Sequence, residues 1–257
     1  DLVEEVLRLK GYDAIPPAVL PASPVAKPAI DPGQRRVVAV RRASAARGLV
    51  EAVTYSFVSR RHAALFGGGA DALVLANPIS ADLDTMRPTP LPALVAAMKR
   101  NRDRGQVEGA LFEVGPAYGE NGAEAQTVIA AALRAGMSGP RHWNEKPRPV
   151  DAFDAKADAI AAIAACGIPA DQLQAAAGNA GAANWYHPGR SGTLSLGMKP
   201  VLAQFGEVHP AVLAAFDLKG PLVACEVFLD RLPPAKTKAS KARPQFAASD
   251  LPAVERD

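Results

Sequence analysis

Cysteine and aromatic residues are both scarce in this sequence of 257 residues. The two cysteines, Cys166 and Cys225, are far apart and match no metal-ligand or redox spacing. We therefore expect two buried thiols in a reducing compartment. Phenylalanine, tryptophan and tyrosine together make up only 5% of the residues. That fraction argues against a platform of exposed rings on which nucleic-acid bases stack.

Long apolar runs are missing as well. No stretch approaches the roughly 18 apolar residues that a membrane-spanning helix needs, and no signal-peptide pattern is present. We therefore expect a cytoplasmic protein. The first residue is Asp1, inside a helical pattern, and residues 252–257 read as a segment that is just beginning. Both features predict an internal piece of a larger protein.

The rest of the composition is typical of a globular domain. Hydrophobic residues make up 49% and charged residues 21%, so a sizeable core can be buried. The net charge of +3 is too small to commit the whole surface to nucleic acid. Positive charge does concentrate at Lys99–Arg104 and again in residues 236–243. A stand-alone RNA-binding module that uses these two segments is therefore one hypothesis.

Apolar spacing predicts an α+β fold, an antiparallel sheet flanked by helices. Proline-rich residues 17–32 predict a linker, and residues 233–247 predict a second, basic one. The predicted helices cover 1–10, 33–47, 59–66, a segment that starts at Pro90, 151–166 and 208–216. The predicted strands cover 53–57, 73–75, 111–115, 127–133, 193–196, 201–205 and 222–229.

An acidic helix face is the first candidate site. Asp1, Glu4 and Glu5 fall at positions i, i+3 and i+4 of the first predicted helix, so their carboxylates share one face. Such a cluster is tolerated when it is solvated, and the helix N-terminus itself favours anions. It is also a set of oxygen ligands for a hard cation. Spacing alone leaves both interpretations open.

Other motifs give weaker signals. His187–Gly192 contains Pro and Gly, which predicts a tight turn, and a nucleophilic Ser191 has no base or orienting acid at a supporting spacing. Gly67-Gly68-Gly69 lacks the Lys that follows a phosphate-binding loop, so it predicts a flexible turn. Of the four histidines, none is paired at metal-ligand spacing.

Several segments together resemble the β subunit of the bacterial phenylalanyl-tRNA synthetase family. Each is short, but they occur in the family's order along essentially the whole chain. They are Asp-Leu-Val-Glu-Glu-Val-Leu-Arg-Leu-Lys-Gly-Tyr-Asp-Ala-Ile-Pro (1–16), Asn-Pro-Ile-Ser (77–80), Met-Arg-Pro-Thr-Pro-Leu-Pro-Ala-Leu (86–94), Leu-Phe-Glu-Val-Gly (111–115), Tyr-His-Pro-Gly-Arg-Ser-Gly (186–192) and Phe-Gly-Glu-Val-His-Pro (205–210).

The resemblance implies a domain plan. Residues 1–16 would end a metal-binding helical domain, 33–232 would form a core like that of a class II synthetase, and 248–257 would begin a ferredoxin-fold anticodon-binding domain. A working class II site needs an arginine in a Gly-rich motif after the last strand, and here residues 222–229 run instead into Asp-Arg-Leu-Pro-Pro. We therefore expect a non-catalytic copy of that core, without catalytic or cofactor-binding residues of its own.

The resemblance also implies partners and a cofactor. The catalytic α subunit would bind ATP and join phenylalanine to its tRNA, within an α2β2 complex that includes this chain. In the family, carboxylates at the positions of Asp1, Glu4 and Glu5 bind Mg²⁺ together with a further aspartate from just upstream. A free-standing acyl-adenylating enzyme is a rival hypothesis, which ATP–pyrophosphate exchange by this chain alone would support.

Overall fold

The protein divides into two compact units in a computed structural model, one of Asp1–Asp31 and one that begins at Pro32. The structure describes residues 1–18, 30–119, 125–139, 143–144, 146–178, 181–197 and 200–234. Most of the predicted basic linker, and the predicted start of the anticodon-binding domain, lie outside these residues. Within them no helix has the length and apolarity to cross a membrane.

The first unit contains the predicted N-terminal helix. Helix α1 (Leu2–Lys10) is followed by a 3-10 turn at Tyr12–Ala14, and neither has a buried residue. Gly11, which lies between them, has φ 89°, a left-handed conformation that glycine adopts without strain and that ends the helix.

The second unit is built on a seven-stranded sheet with the order β1-β4-β5-β9-β8-β7-β6. The pair β1–β4 is parallel and the other five neighbouring pairs are antiparallel. Strands β2 and β3 form a separate small pair. The strands are β1 (Val50–Glu51), β2 (Phe57–Val58), β3 (Thr85–Met86), β4 (Gly109–Ala117), β5 (Thr127–Ala135), β6 (Gln174–Ala177), β7 (Tyr186–Ser195), β8 (Ala203–Val208) and β9 (Leu222–Phe228).

Helices cover both faces of this sheet, which confirms the α+β class. Helices α2 and α5 pack on one face and share a core cluster with it. The other face is packed by α4, together with residues of α6 and Phe66, which follows α3. The bounds are α2 (Pro32–Ala46), α3 (Arg60–Leu65), α4 (Leu91–Asp103), α5 (Ala152–Ala165) and α6 (Pro210–Ala215).

Two predicted helix starts are confirmed by their caps. The side chain of Ser59 accepts a hydrogen bond from the backbone N–H of His62 and begins α3. The Asp151 side chain accepts hydrogen bonds from the backbone N–H groups of Phe153 and Asp154. The Asp154 carboxylate accepts one from the backbone N–H of Asp151, which completes a capping box at the start of α5.

The buried carboxylate of Asp158 joins α5 to the sheet. It pairs with Arg134 of β5 at 2.6 Å and with Arg47, just after α2, at 2.5 Å. Hydrogen bonding to Asp158 raises the pKa of Arg134 against the opposing effect of burial. Helix α5 is therefore fixed both by apolar packing and by a shared ion pair.

The predicted strands at 53–57 and 73–75 are wrong in most of their length. Only Phe57 of the first is paired, in the strand Phe57–Val58, while Val53 is 87% and Tyr55 65% exposed. The second contains the 3-10 turn Asp71–Leu73 and one isolated bridge, Val74 to Thr85. In both segments a strand-like apolar pattern, alternating in 53–57 and continuous in 73–75, lacks a neighbouring strand with which to pair over its length.

The predicted tight turn at His187–Gly192 is also wrong. These residues continue strand β7, and the pairing of β7 with β8 shifts register between Tyr186 and Ser191. The strand accommodates Pro188 and Gly189 at this irregularity, where a proline costs no ladder hydrogen bond. Local turn residues therefore produced a bulge rather than a reversal of the chain.

Candidate functional site

A row of buried polar side chains crosses the sheet on the face that α4 covers. Register pairs Glu113 with Ala131, Ala131 with Glu226, Glu226 with Gln204, and Gln204 with Thr193. Cross-strand partners project to the same face. The four polar members of this row are all buried. We call Glu113, Glu226, Gln204 and Thr193 the polar row.

Glu226 is the most heavily hydrogen-bonded member of the polar row. Its Oε2 accepts from Gln204 Nε2 at 2.7 Å, from Tyr186 Oη at 3.0 Å and from Trp185 Nε1 at 3.1 Å. Its Oε1 accepts from the hydroxyl of Thr89. Burial raises the pKa of Glu226, and these four donors oppose that rise. The carboxyl group is thus fully engaged by the protein itself.

Glu113 forms a second buried centre, with Arg87. Arg87 Nη1 lies 2.7 Å from Glu113 Oε1, and the two side chains are 1% and 6% exposed. Arg87 also donates to Thr54 Oγ1 at 2.9 Å and to the carbonyl of Pro116 at 2.9 Å. Thr54 Oγ1 in turn donates to Glu113 Oε2 at 2.6 Å. A buried ion pair needs such extra hydrogen bonds to offset its desolvation.

A short loop delivers both partners to the polar row. Arg87 and Thr89 are separated by one residue, just before α4 begins, and they bind Glu113 and Glu226 respectively. Three of the family-like segments therefore meet here: 86–94, 111–115 and 186–192. Their shared position was not evident from sequence order, because the strands that carry them are not consecutive in the sheet.

Gly115, in the segment 111–115, has a steric reason to be glycine. A Cβ at this position would lie 2.5 Å from Arg87 Nη2 and 3.1 Å from Glu113 Oε1. The guanidinium of Arg87 occupies the place that a side chain would take. The Glu-Val-Gly sequence thus combines an ion-pair partner with the space that its arginine needs.

Aromatic rings surround the polar row. Trp185 and Tyr186, whose polar atoms bind Glu226, have ring centroids 6.2 Å apart. Trp185 also lies 5.9 Å from Phe66. Burial is the main cause that raises the pKa of Tyr186 well above its ordinary value, so its hydroxyl remains a donor. Around Glu226, this face of the sheet is therefore occupied by side chains of the same chain.

The His187–Ser191 segment has no catalytic arrangement in the described structure. The guanidinium of Arg190 is bound by both oxygens of Glu207. His187 Nδ1 accepts the backbone N–H of Gly189 at 3.1 Å. Ser191 Oγ is buried and has no hydrogen-bond partner among the described residues, so no base contacts it there. Ser191 thus lies in strand β7, and its lack of a catalytic role stays a prediction.

The acidic face of α1 lies in the first unit and is exposed. Glu5 forms an ion pair with Arg8, Oε2 to Nη2, at 2.7 Å. Within the residues that the structure describes, no group of three or more His, Cys, Asp or Glu side chains is placed to hold a metal ion. Asp1, Glu4 and Glu5 thus do not by themselves fit the octahedral oxygen set of Mg²⁺. Their role as ligands stays a prediction.

The end of β9 carries two charged residues in structural contacts. Arg231 lies over the ring of Phe228, 4.0 Å from its centroid, and donates to the carbonyl of Val201 at 3.2 Å. Asp230 accepts the backbone N–H of Val128 at 2.6 Å. The segment after the strand is a 3-10 turn, Leu229–Arg231.

The basic cluster at the end of α4 is partly neutralised. Lys99 lies 2.5 Å from Asp103 and 3.5 Å from Asp217, and these contacts raise the pKa of Lys99. Arg102 donates to the backbone carbonyl of Lys219. Two cations of this cluster, Lys99 and Arg102, therefore have partners in the fold. The second basic segment, 236–243, lies outside the described residues.

Sequence reasoning missed the polar row as a site. Glu113 and Thr89 were notable only as parts of family-like segments, and no role was predicted for Gln204 or Glu226. One signal was available: Glu226 interrupts the apolar run of 222–229. A single acid in a fully buried strand indicates a hydrogen-bonded partner set.

Comparison with known proteins supports the family resemblance of the segments described above. The family model "Phenylalanyl tRNA synthetase beta chain CLM domain" matches residues 17–229. The chain is 53% identical over 257 residues to the phenylalanine–tRNA ligase beta subunit of Paramagnetospirillum magneticum and 52% identical to that of Rhodospirillum rubrum. Both matches cover 100% of this chain and 32% of the relative. The chain thus spans about a third of the length of these relatives.

Two solved structures share the fold. Both are pyrrolysyl-tRNA synthetases from Desulfitobacterium hafniense, each with a TM-score of 0.57 and 16% sequence identity. The matches cover 77% and 90% of this chain, and 66% and 74% of those chains. At this identity the likeness shows the fold alone, which is that of a class II tRNA synthetase core.

Proposed function

Because this chain belongs to the phenylalanyl-tRNA synthetase β-chain family, we propose that it is the non-catalytic core of a phenylalanine–tRNA ligase β subunit. It would act in the cytoplasm as a scaffold that docks a catalytic α subunit in an α2β2 complex. The α subunit would bind ATP and carry out the aminoacylation, and tRNA would be bound by the whole complex. The observation that carries this proposal is the self-filled polar row.

The polar row supports a structural role because its groups are already bound. The carboxylate of Glu226 accepts four hydrogen bonds from side chains of the same chain. Glu113 is held by Arg87 and Thr54. A catalytic face needs polar groups that are aimed at a substrate. In this chain the members of the polar row bind other side chains of the protein and stabilise the fold.

The edge of the sheet at β1 supports the docking role. Strand β1 pairs only with β4 in the described structure, and it is parallel to it. Val50 is 64% exposed, and Val53 and Tyr55, which follow β1, are 87% and 65% exposed. Clustered exposed apolar side chains mark a protein–protein contact more often than a free surface. We assign the α subunit to this edge.

Light scattering of the chain mixed with the α subunit tests the docking role. We expect a complex for the natural chain, and we expect Val53→Asp to weaken it at least about tenfold because a charge would be buried in an apolar contact. Phe153→Asp is the matched control, since Phe153 is 72% exposed on α5. Failure of the natural chain to associate, or equal weakening by both variants, would contradict the assignment of this edge.

ATP–pyrophosphate exchange tests the non-catalytic role. We expect no phenylalanine-dependent exchange by this chain alone, and exchange by the α2β2 complex. Exchange by the isolated chain that Glu226→Gln abolishes would instead support the acyl-adenylating hypothesis, because that variant keeps the size of the side chain and removes the carboxylate.

Titration calorimetry with Mg²⁺ tests the acidic face of α1. We compare the chain with a triple variant, Asp1→Asn, Glu4→Gln and Glu5→Gln, in which the oxygen charges are removed. We expect only weak binding by the chain, and its loss in the variant, because three carboxylates supply fewer ligands than Mg²⁺ requires. Equal heats for the two proteins would remove these residues as ligands.

A further inference from the structure

The far edge of the sheet, at β6, is open in the described structure. Strand β6 pairs with β7 and has no neighbour on its other side. Its four residues, Gln174–Ala177, are all exposed, and three of them are alanines. A free edge presents unpaired backbone N–H and C=O groups, which proteins usually protect with charges, prolines or bulges. This edge carries no charged residue and no proline.

A groove of about 410 Å³ adjoins β6 on the α5 side of the sheet. Its strand wall is formed by residues of β6, by Gly189–Ser191 of β7 and by Phe205 of β8. Its other wall comes from the start of α5, where Phe153 is 72% exposed. The groove is large enough for one bulky side chain.

The register explains why the groove is beside the edge. Ala177 pairs with Gly192, and Gly192 pairs with Phe205, so these three positions share the face on which α5 packs. A Cβ on Gly192 would lie 2.9 Å from the Phe205 ring and 2.6 Å from the Ala176 carbonyl. The absence of a side chain at Gly192 therefore gives the Phe205 ring, which lines the groove, its place next to the edge.

A strand added to β6 would reach this groove with alternate side chains. Residues opposite Ala175 and Ala177 would project to the α5 face, because cross-strand partners share a face. The residue opposite Ala176 would project to the other face. The incoming strand therefore needs one large apolar side chain in register with the groove.

The charged residues at the rim of the groove indicate which charge a ligand should carry. Arg190 is bound by Glu207, and Asp151 lies 3.2 Å from Arg148. Lys156, which also lines the groove, has no ion pair or hydrogen bond within the described part of the chain. The unpaired charge at the rim is therefore positive, and a carboxylate is its complement.

The geometry points to β6 and its groove as a docking site for an extended peptide segment of another protein. The segment adds an eighth strand to the sheet, places one large apolar side chain in the groove, and presents a carboxylate to Lys156. This site lies at the opposite edge of the sheet from β1. It is thus separate from the surface assigned to the α subunit, and its failure would leave that assignment intact.

A capped peptide, acetyl-Thr-Asp-Thr-Phe-Thr-Val-amide with a fluorescent label, is the probe. Its Asp and Phe lie two residues apart and therefore project to one face of a strand. Fluorescence anisotropy with the full chain measures binding. We expect saturable binding below about 1 mM. We also expect loss of binding when alternate backbone nitrogens are methylated, because the added strand then lacks its donors.

Three variants link this binding to the groove. Phe153→Ala and Lys156→Glu should each weaken binding by roughly threefold to tenfold, since each removes one exposed contact. Ala177→Trp should abolish it by filling the groove. Lys219→Glu, the same charge change at an exposed lysine away from the groove, should leave it unchanged.

Three results would overturn the proposal. The first is the absence of saturable binding to the natural chain, and the second is equal binding of the methylated peptide. The third is equal binding by Lys156→Glu and Lys219→Glu together with no effect of Phe153→Ala. Sedimentation without peptide gives one further outcome: a dimer that Ala177→Trp dissociates would assign the edge to a second copy of this chain and would also overturn it.

Discussion

The Arg87–Glu113 pair offers the most quantitative test of the polar row. Both side chains are almost fully buried, and the two charges approach to 2.7 Å. Removal of one partner leaves the other charge buried without its counter-ion, which costs about 3–5 kcal/mol in proteins. Domains of this kind are stable by only about 5–15 kcal/mol. Arg87→Met or Glu113→Leu should therefore remove a large share of the free energy of unfolding.

The double variant separates the ion pair from its surroundings. With both charges replaced by apolar side chains, the remaining cost is the loss of donors to Thr54 Oγ1 and the Pro116 carbonyl, about 1–3 kcal/mol for each unsatisfied group. We therefore expect the double variant to be less destabilised than the sum of the single variants, by about 2 kcal/mol or more. Arg190→Met is the control, because its pair with Glu207 is half exposed and is worth at most about 1 kcal/mol.

Urea unfolding at pH 7, followed by circular dichroism and by the fluorescence of the two tryptophans, Trp143 and Trp185, measures these free energies. Trp185 donates to Glu226 in the polar row, so its emission reports directly on this region. Single variants destabilised by less than about 1 kcal/mol would refute the reasoning, and so would a double variant additive within about 0.5 kcal/mol.

Three further changes test the site and its supports. Burial raises the pKa of Glu226 above its unfolded value. The stabilising contribution of Glu226 is therefore full at low pH and is lost as the pH rises through the folded pKa. Urea titrations should show the natural chain losing stability relative to Glu226→Gln between pH 4 and pH 7, and an unchanged difference between the two proteins would contradict this. Gly115→Ala should cost about 1–3 kcal/mol because its Cβ meets Arg87 Nη2 at 2.5 Å, whereas Gly139→Ala, with nothing within 4 Å, should be close to neutral in the same assay. Asp151→Ala removes a capping box and should lower the stability to heat or urea by about 0.5–2 kcal/mol, and a smaller loss would mean that the cap is redundant.

The elements with strong local signals were predictable from the sequence. Helix α4 follows an i, i+3, i+4, i+7 apolar pattern, and α5 begins at an aspartate cap and ends before Gly167. The long strands β4, β5 and β9 are mostly apolar, each with a single charged residue. In each case local propensity and tertiary burial favour the same structure.

The elements that were missed or wrongly predicted from the sequence depend on long-range pairing. Strand β6 is rich in alanine, which has little strand propensity, and it exists because β7 pairs with it. Val53 and Tyr55 alternate like a strand but are exposed without one. The polar row could not be predicted for the same reason, because it depends on the register of strands that are distant in the chain. Only the isolated acid at Glu226 indicated it.

The most direct test of the non-catalytic role is the rate of tRNA aminoacylation by an α2β2 complex in which the β subunit carries Glu226→Gln. The variant keeps the shape of the side chain, and assembly is confirmed by sedimentation before the assay. We expect kcat to be unchanged, because Glu226 binds Thr89, Gln204, Tyr186 and Trp185 rather than a substrate. A fall in kcat of about 10²-fold or more in an intact complex, the size of effect expected for a catalytic acid or base, would contradict the structural role of the polar row.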